Sequence, residues 1–235
     1  MAWAEGQAVN TRILLGCGAV GGPLFVAAFV LEDATRAGYD PLRYPVSLLA
    51  VGDFGWEQIA NFMVTGLLML AFAVGLRLAP RPVGGSVWGP LLVGIYAIGL
   101  LAAGIFVTDP VAAYPPGRFE VIQPSLHSTL HDLASVVVFA ALPTACLVLS
   151  RRFAMGGERG WAVYSAGSGV VFAVGFILAS AGLNQADGLV NVAGLLQRIA
   201  IIAGWAWLAL LAVHLLRQSG VSDRAGRPNA GSHGT

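Results

Sequence analysis

Lysine is missing altogether from this chain of 235 residues; its 13 basic side chains are all arginine. Charge of either sign is scarce, at 11%, where a soluble domain carries about a quarter. Only two cysteines occur, Cys17 and Cys146. Both lie in apolar runs without Cys-x-x-Cys spacing, which argues against a disulfide framework or a thiolate metal site and leaves them as small packing residues. There is no phosphate loop, dinucleotide fingerprint or c-type haem motif, and no basic face suited to nucleic acid, so no nucleic-acid partner is expected. A cleavable leader is not indicated either. The first eleven residues carry little positive charge, and the apolar run after them is long enough to span.

What is abundant is apolar surface: 57% of residues are hydrophobic and 31 are glycine. This is the composition of an integral membrane protein, in which small residues let helices approach closely. Six segments have the length of about 20 residues that crosses a hydrocarbon core. They fall near residues 12–31, 57–76, 86–107, 129–150, 160–181 and 193–215. The expected fold is therefore all-α, one transmembrane domain of six helices over residues 1–217. A polar tail over 218–235, rich in Gly and Ser, is expected to be disordered.

The charges between the segments sort by side. Arg12, Arg77, Arg81, Arg151, Arg152, Arg159, Arg217, Arg224 and Arg227 fall at one set of ends, and Glu32, Asp33, Asp40, Asp53, Asp109, Glu120 and Asp187 at the other. The positive-inside rule then puts both termini in the cytoplasm. The first outer connection contains YPVSLLAVG, too short to span and expected as a re-entrant or interfacial helix. The second outer connection is held extended by its prolines. Gly18 and Gly22 form a small-xxx-small pair, read as packing, with self-association as the lesser alternative.

Candidate chemistry gathers at the outer ends. Asp53, Glu57, Asn61 and Thr65 recur every fourth residue, so on a helix they form one polar stripe entering the second span. Burying such groups in hydrocarbon is costly unless something faces them. Glu57 and Asn61 are expected inside a cavity, with Asp53 and Trp56 at the membrane interface and Arg43 held over the cavity mouth by the prolines of YDPLRYPVS. Ser47 follows in the short apolar run; a histidine approaching it would make it a nucleophile.

The motif HSTLHD places His127 and His131 four apart on one helical face, followed by Asp132. That spacing offers two ligands to a zinc ion, and Asp109 in GIFVTDP is the candidate third. Zinc is a candidate cofactor here, not favoured over none. The alternative is a pair of interfacial histidines bonded to neighbouring helices. Arg198 lies inside the sixth span and needs an anion, with Asp53, Glu57, Asp109 and Asp132 as candidates. It is either a structural salt bridge or a clamp for an anionic group. His214 is expected at the cytoplasmic interface. Among the aromatics, Tyr44, Trp88 and Trp161 fit an interfacial belt, whereas Trp205 and Trp207 lie deeper.

The ordered set G-Y-D-P-L-R-Y-P-V-S-x-L-A, G-W-E-Q-I-A-N-F, A-G-I-F-x-x-D-P, H-x-T-L-H-D and G-L-L-Q-R-I resembles the signature of a bacterial multi-pass membrane family, domain of unknown function number 998. The resemblance runs to about Arg217. It implies six spans and points to Arg43, Ser47, Asn61, Asp109, His131 and Arg198 as motif positions, with no activity attached. The Ser, Asp and H-x-x-x-H ingredients are also distantly similar to membrane ceramidase-like hydrolases, which have seven spans and more zinc-binding histidines.

Three functions remain open at this stage. The first is an enzyme of the bacterial inner membrane that takes a lipid or other hydrophobic small molecule into an extracytoplasmic cavity. Its chemistry would be acid–base or metal-assisted, with Glu57, Asp109, His131 and Asp132 catalytic and Arg43, Ser47, Asn61, Trp56 and Arg198 binding substrate. The second is a terpenoid cyclase started by a buried carboxylic acid among Asp53, Glu57 and Asp109. The third is a lipid-binding, transport or structural protein whose polar cluster fixes helix packing.

Overall fold

A computed structural model describes residues 2–79, 83, 85–111, 114–117 and 123–225. Six helices account for most of it: α1 (Ala2–Thr35), α2 (Gly55–Leu78), α3 (Trp88–Ile105), α4 (Leu126–Met155), α5 (Arg159–Leu183) and α6 (Ala193–Ala225). A short 3-10 helix, Val46–Ala50, lies in the first long connection, and a second, Val190–Val192, precedes α6. All six long helices contain a stretch apolar enough and long enough to cross a membrane. The protein is an all-α multi-pass membrane protein.

The six expected spans all exist, with ends that differ for local reasons. Helix α1 begins at Ala2, well before the apolar run; its first turns contain no proline, and the single Gly6 is tolerated within the helix. Helix α4 starts at Leu126 because Ser125 caps it, its side chain accepting from the Ser128 amide. Helix α6 continues past Gln218 to Ala225, so the first part of the expected tail is helical; residues 226–235 lie outside the described ones.

Each helix packs against the next, and α6 returns to pack against α1, closing a ring. Neighbours alternate in direction, so one end of the ring carries the Val46–Ala50 helix (the cap end) and the other carries the short α2–α3 and α4–α5 turns (the base end). Close approach depends on glycine at particular places. A side chain on Gly22 would meet the Trp205 carbonyl at 2.8 Å, and one on Gly18 would strike the Phe72 ring. Both members of the small-xxx-small pair are thus consumed by packing within the chain, against α6 and α2. At the cap end a side chain on Gly194 would come within 2.6 Å of the Pro41 carbonyl, so the first connection lies directly on the start of α6.

The core follows from the ring. Phe25 stacks on Trp205 at 4.6 Å between centroids, and Trp205 meets Tyr96 edge-on at 5.6 Å. Trp207 donates to the Ser165 hydroxyl at 3.0 Å, which satisfies its buried indole N–H. At the base end the Glu158 carboxylate bonds His214 at 2.8 Å and Gln218 at 3.3 Å, tying the α4–α5 turn to the end of α6.

Candidate functional site

A narrow cavity of about 50 Å³ lies in the centre of the ring at the cap end. Every long helix contributes to it, and the Val46–Ala50 helix covers it. Helical spacing explains the contributions: Tyr96, Leu100 and Ala103 from α3, His131, Ser135 and Phe139 from α4, and Gln197, Ile201 and Trp205 from α6 recur at three- and four-residue intervals. Phe25, Phe62 and Phe172 complete an aromatic wall. Its polar side chains are Ser47, Tyr96, His131, Ser135 and Gln197; no carboxylate lines it.

His131 is the histidine of this cavity, 2% exposed. Its Nδ1 lies 2.7 Å from the carbonyl of Phe106, the residue that ends α3. A carbonyl only accepts, so Nδ1 carries the hydrogen, and in the neutral ring Nε2 is the basic nitrogen. The Phe106 carbonyl is one of those a helix end leaves without an intrahelical partner, which is why it is free to fix the imidazole. Ser47, on the covering helix, lines the same cavity. The cover is itself pinned from below: the Val46 amide donates to the Gln197 side chain at 2.8 Å.

The other sequence candidates are placed elsewhere. Asp109 accepts from the Ser125 amide at 2.7 Å and the Ser125 hydroxyl at 2.8 Å, so it reinforces the cap of α4. His127 is exposed with its ring edge-on to Phe106, and Asp132 is exposed. The tentative zinc set of Asp109, His127 and His131 therefore does not assemble, and among the described residues no group of three or more His, Cys, Asp or Glu side chains is placed to hold a metal. Trp56 is 64% exposed, and Arg43 is exposed on the cap rather than turned into the cavity.

The polar stripe of α2 also faces another way. Asn61 is buried, but it donates to the Phe25 carbonyl at 3.2 Å and to Gln58 at 3.1 Å, and Thr65 donates to the Asn61 carbonyl. The Asn61 bond to Phe25 ties α2 to α1, the other two lie within α2, and neither Asn61 nor Thr65 lines the central cavity. Glu57 reaches Arg36, with Nη2 and Oε2 3.2 Å apart, and with Asp53 it lines a second cavity of about 460 Å³ beside the cap.

Arg198 is the anchor of the cap. Its partner is Asp33, bound through Nε at 2.8 Å and Nη2 at 2.6 Å, and none of the four carboxylates expected from the sequence. Nη1 donates to the carbonyls of Tyr44 at 2.8 Å and Gly194 at 3.1 Å, and Nη2 also to the Tyr39 hydroxyl at 2.8 Å. A guanidinium has five N–H donors, and all five are spent on the protein, so Arg198 has none to offer a ligand. Burial pushes the Tyr39 phenol up against the opposing pull of Arg198. It stays protonated and passes its own hydrogen to the Pro45 carbonyl, 2.9 Å away.

Asp33 and Arg36 are the main residues that the sequence reading passed over. Both stand at the end of α1, where charge looks like ordinary flanking polarity; the signal available was a charged run, EDATR, continuing a helix without a break.

Residues 19–214 match the family described as protein of unknown function (DUF998). The chain belongs to that family. The matched stretch includes the whole cavity lining, the Asp33–Arg198 anchor and the Asp109–Ser125 cap. Comparisons with curated proteins and with solved structures give no match.

Proposed function

We propose that this DUF998 protein is a membrane-embedded enzyme that takes one end of a lipid or other hydrophobic molecule into the central cavity, with His131 as its acid–base group. The observation that carries the reading is the composition of the cavity: an aromatic and aliphatic wall holding one tautomer-fixed histidine, two serines and a glutamine. An apolar enclosure with few convergent polar groups is the usual form of a small-molecule site. Its size favours a thin chain, since about 50 Å³ is room for a few water-sized groups and no more. Ser47 and Ser135 are the hydroxyls from which His131 can take a proton, or with which it can orient a water. The arginines at the base end support a cytoplasmic base and an extracytoplasmic cavity, in a bacterial inner membrane.

A terpenoid cyclase has less support, because Asp53, Glu57 and Asp109 stand outside the aromatic cavity. One observation favours a non-enzymatic lipid-binding role: Arg198 and Asp109 are fully engaged in holding helices together.

Turnover separates the two. Purified protein is incubated with a total bacterial lipid extract and the products are followed by mass spectrometry, comparing wild type with His131→Gln and Ser47→Ala. Loss of an acid–base group lowers turnover by about 10²–10⁴-fold, so product formation is expected to fall by that much in His131→Gln with little change in melting temperature. Wild-type protein that leaves the extract unchanged, or His131→Gln that retains full turnover, contradicts the enzyme and leaves the binding role.

A further inference from the structure

The helix that covers the central cavity fixes which way the Gln197 side chain is turned. The Val46 amide is a donor, so the atom that meets it, 2.8 Å away, is the carbonyl oxygen Oε1. Nε2 is thereby left with both of its hydrogens, and it has no partner among the described residues. Gln197 is 7% exposed, yet Nε2 is not sealed off as the Gln58 side-chain nitrogen is; the space that Gln197 borders is the central cavity. A buried side chain that keeps an amide nitrogen without an acceptor is uncommon in folded proteins, because the water it gave up is not replaced.

The surroundings of Nε2 decide what it can receive. His131 and Ser135 stand about one turn apart near the start of α4, Gln197 lies near the start of α6, and Ser47 is on the cover, so these polar groups gather beneath the cover. Trp205 lies about two turns deeper on α6 and Phe139 about one turn deeper than Ser135 on α4, in the apolar wall below. Gln197 Nε2 and the hydroxyls of Ser47 and Ser135 can all donate a hydrogen. No carboxylate and no arginine lines the cavity, so a phosphate, a free carboxylate or an ammonium would lie there without a counter-charge. The group that answers several donors and no charge is a neutral acceptor, and a carbonyl oxygen with two lone pairs is the one a lipid carries.

We propose that Gln197 is a substrate-binding residue whose Nε2 donates to the carbonyl oxygen of an uncharged acyl compound, an ester or amide of a straight-chain acid. The inference rests on the reading of the central cavity as a site for a hydrophobic molecule, and it names the class that enters. One side chain then serves both purposes: Oε1 holds the cover and Nε2 holds the ligand beneath it.

The test is binding of simple probes to the full-length protein in detergent, read by native mass spectrometry and by the shift in melting temperature. The probes are a straight-chain methyl ketone, the corresponding secondary alcohol, the alkane and the free fatty acid, all of matched length. The ketone presents a carbonyl oxygen and has no bond to hydrolyse, so its affinity is read without turnover. A neutral hydrogen bond changes affinity by about fivefold. Wild type is expected to bind the ketone tighter than the alkane by that factor, and tighter than the alcohol and the acid. Gln197→Leu is expected to bind ketone and alkane alike. Loosening of the cover in that variant acts on both probes, so the ratio between them isolates the Nε2 bond. Wild type that binds ketone and alkane equally, prefers the alcohol or the acid, or takes up no ketone overturns the inference, whether or not the variant folds; so does a ketone preference that survives in Gln197→Leu. A ketone preference in protein that leaves a lipid extract unchanged upholds the carbonyl site and removes only the enzyme. Turnover that depends on His131 without a ketone preference keeps the enzyme and removes the carbonyl site.

Discussion

Arg198 illustrates how a buried charge divides between structure and function. A clamp for an anionic ligand keeps donors free, whereas here Asp33, Tyr39, Tyr44 and Gly194 take all five. Removing one partner of a buried ion pair costs about 3–5 kcal/mol, because the other charge is left uncompensated. Arg198→Ala is expected to lose that much in a denaturant titration. Arg198→Lys is expected to fall in between, since an ammonium cannot reproduce the planar fork on Asp33. Unchanged stability in Arg198→Ala returns the residue to ligand binding. His131 is the opposite case: one bond to the Phe106 carbonyl orients it and leaves Nε2 uncommitted among the described contacts.

Among the elements, the helices were legible from the sequence and their use of polar residues was not. A run of about 20 apolar residues has one solution in a bilayer, which is why all six spans fall where hydropathy puts them. The stripe from Asp53 to Thr65 was equally plain as a pattern, but periodicity gives a face and not what the face meets. Asn61 turned out to bind the Phe25 carbonyl of α1. The central cavity was the least legible part, because Phe25, Phe62, Tyr96, Phe172 and Trp205 are the residues that ordinary packing also uses. His131 and Ser47 were singled out by type and position, and the fold brings both to one cavity. The Val46–Ala50 helix depends on Gln197, which takes the Val46 amide hydrogen. Gln197→Leu leaves that buried N–H without an acceptor and is expected to raise hydrogen exchange at residues 46–51 while α1 through α6 keep their protection. Exchange unchanged over 46–51 contradicts this role for Gln197.

For the whole molecule, the two cavities described above both lie toward the cap end of the ring of six helices. Large aromatic and aliphatic side chains fill the base half, and the cap end holds the buried charges, the covering helix and both cavities. On the proposed function the cap end is the working end, and occupation of the central cavity is the central claim. The direct measurement is photocrosslinking of the protein in membranes with lipids carrying a diazirine at the end of the acyl chain, mapped by peptide mass spectrometry. Labelling is expected at Leu100, Ala103 or Phe139, which face the cavity, and is expected to disappear in an Ala103→Phe variant that fills it. Labels confined to outward-facing residues such as Ile98, Val136 and Ile177, unchanged by Ala103→Phe, contradict the account.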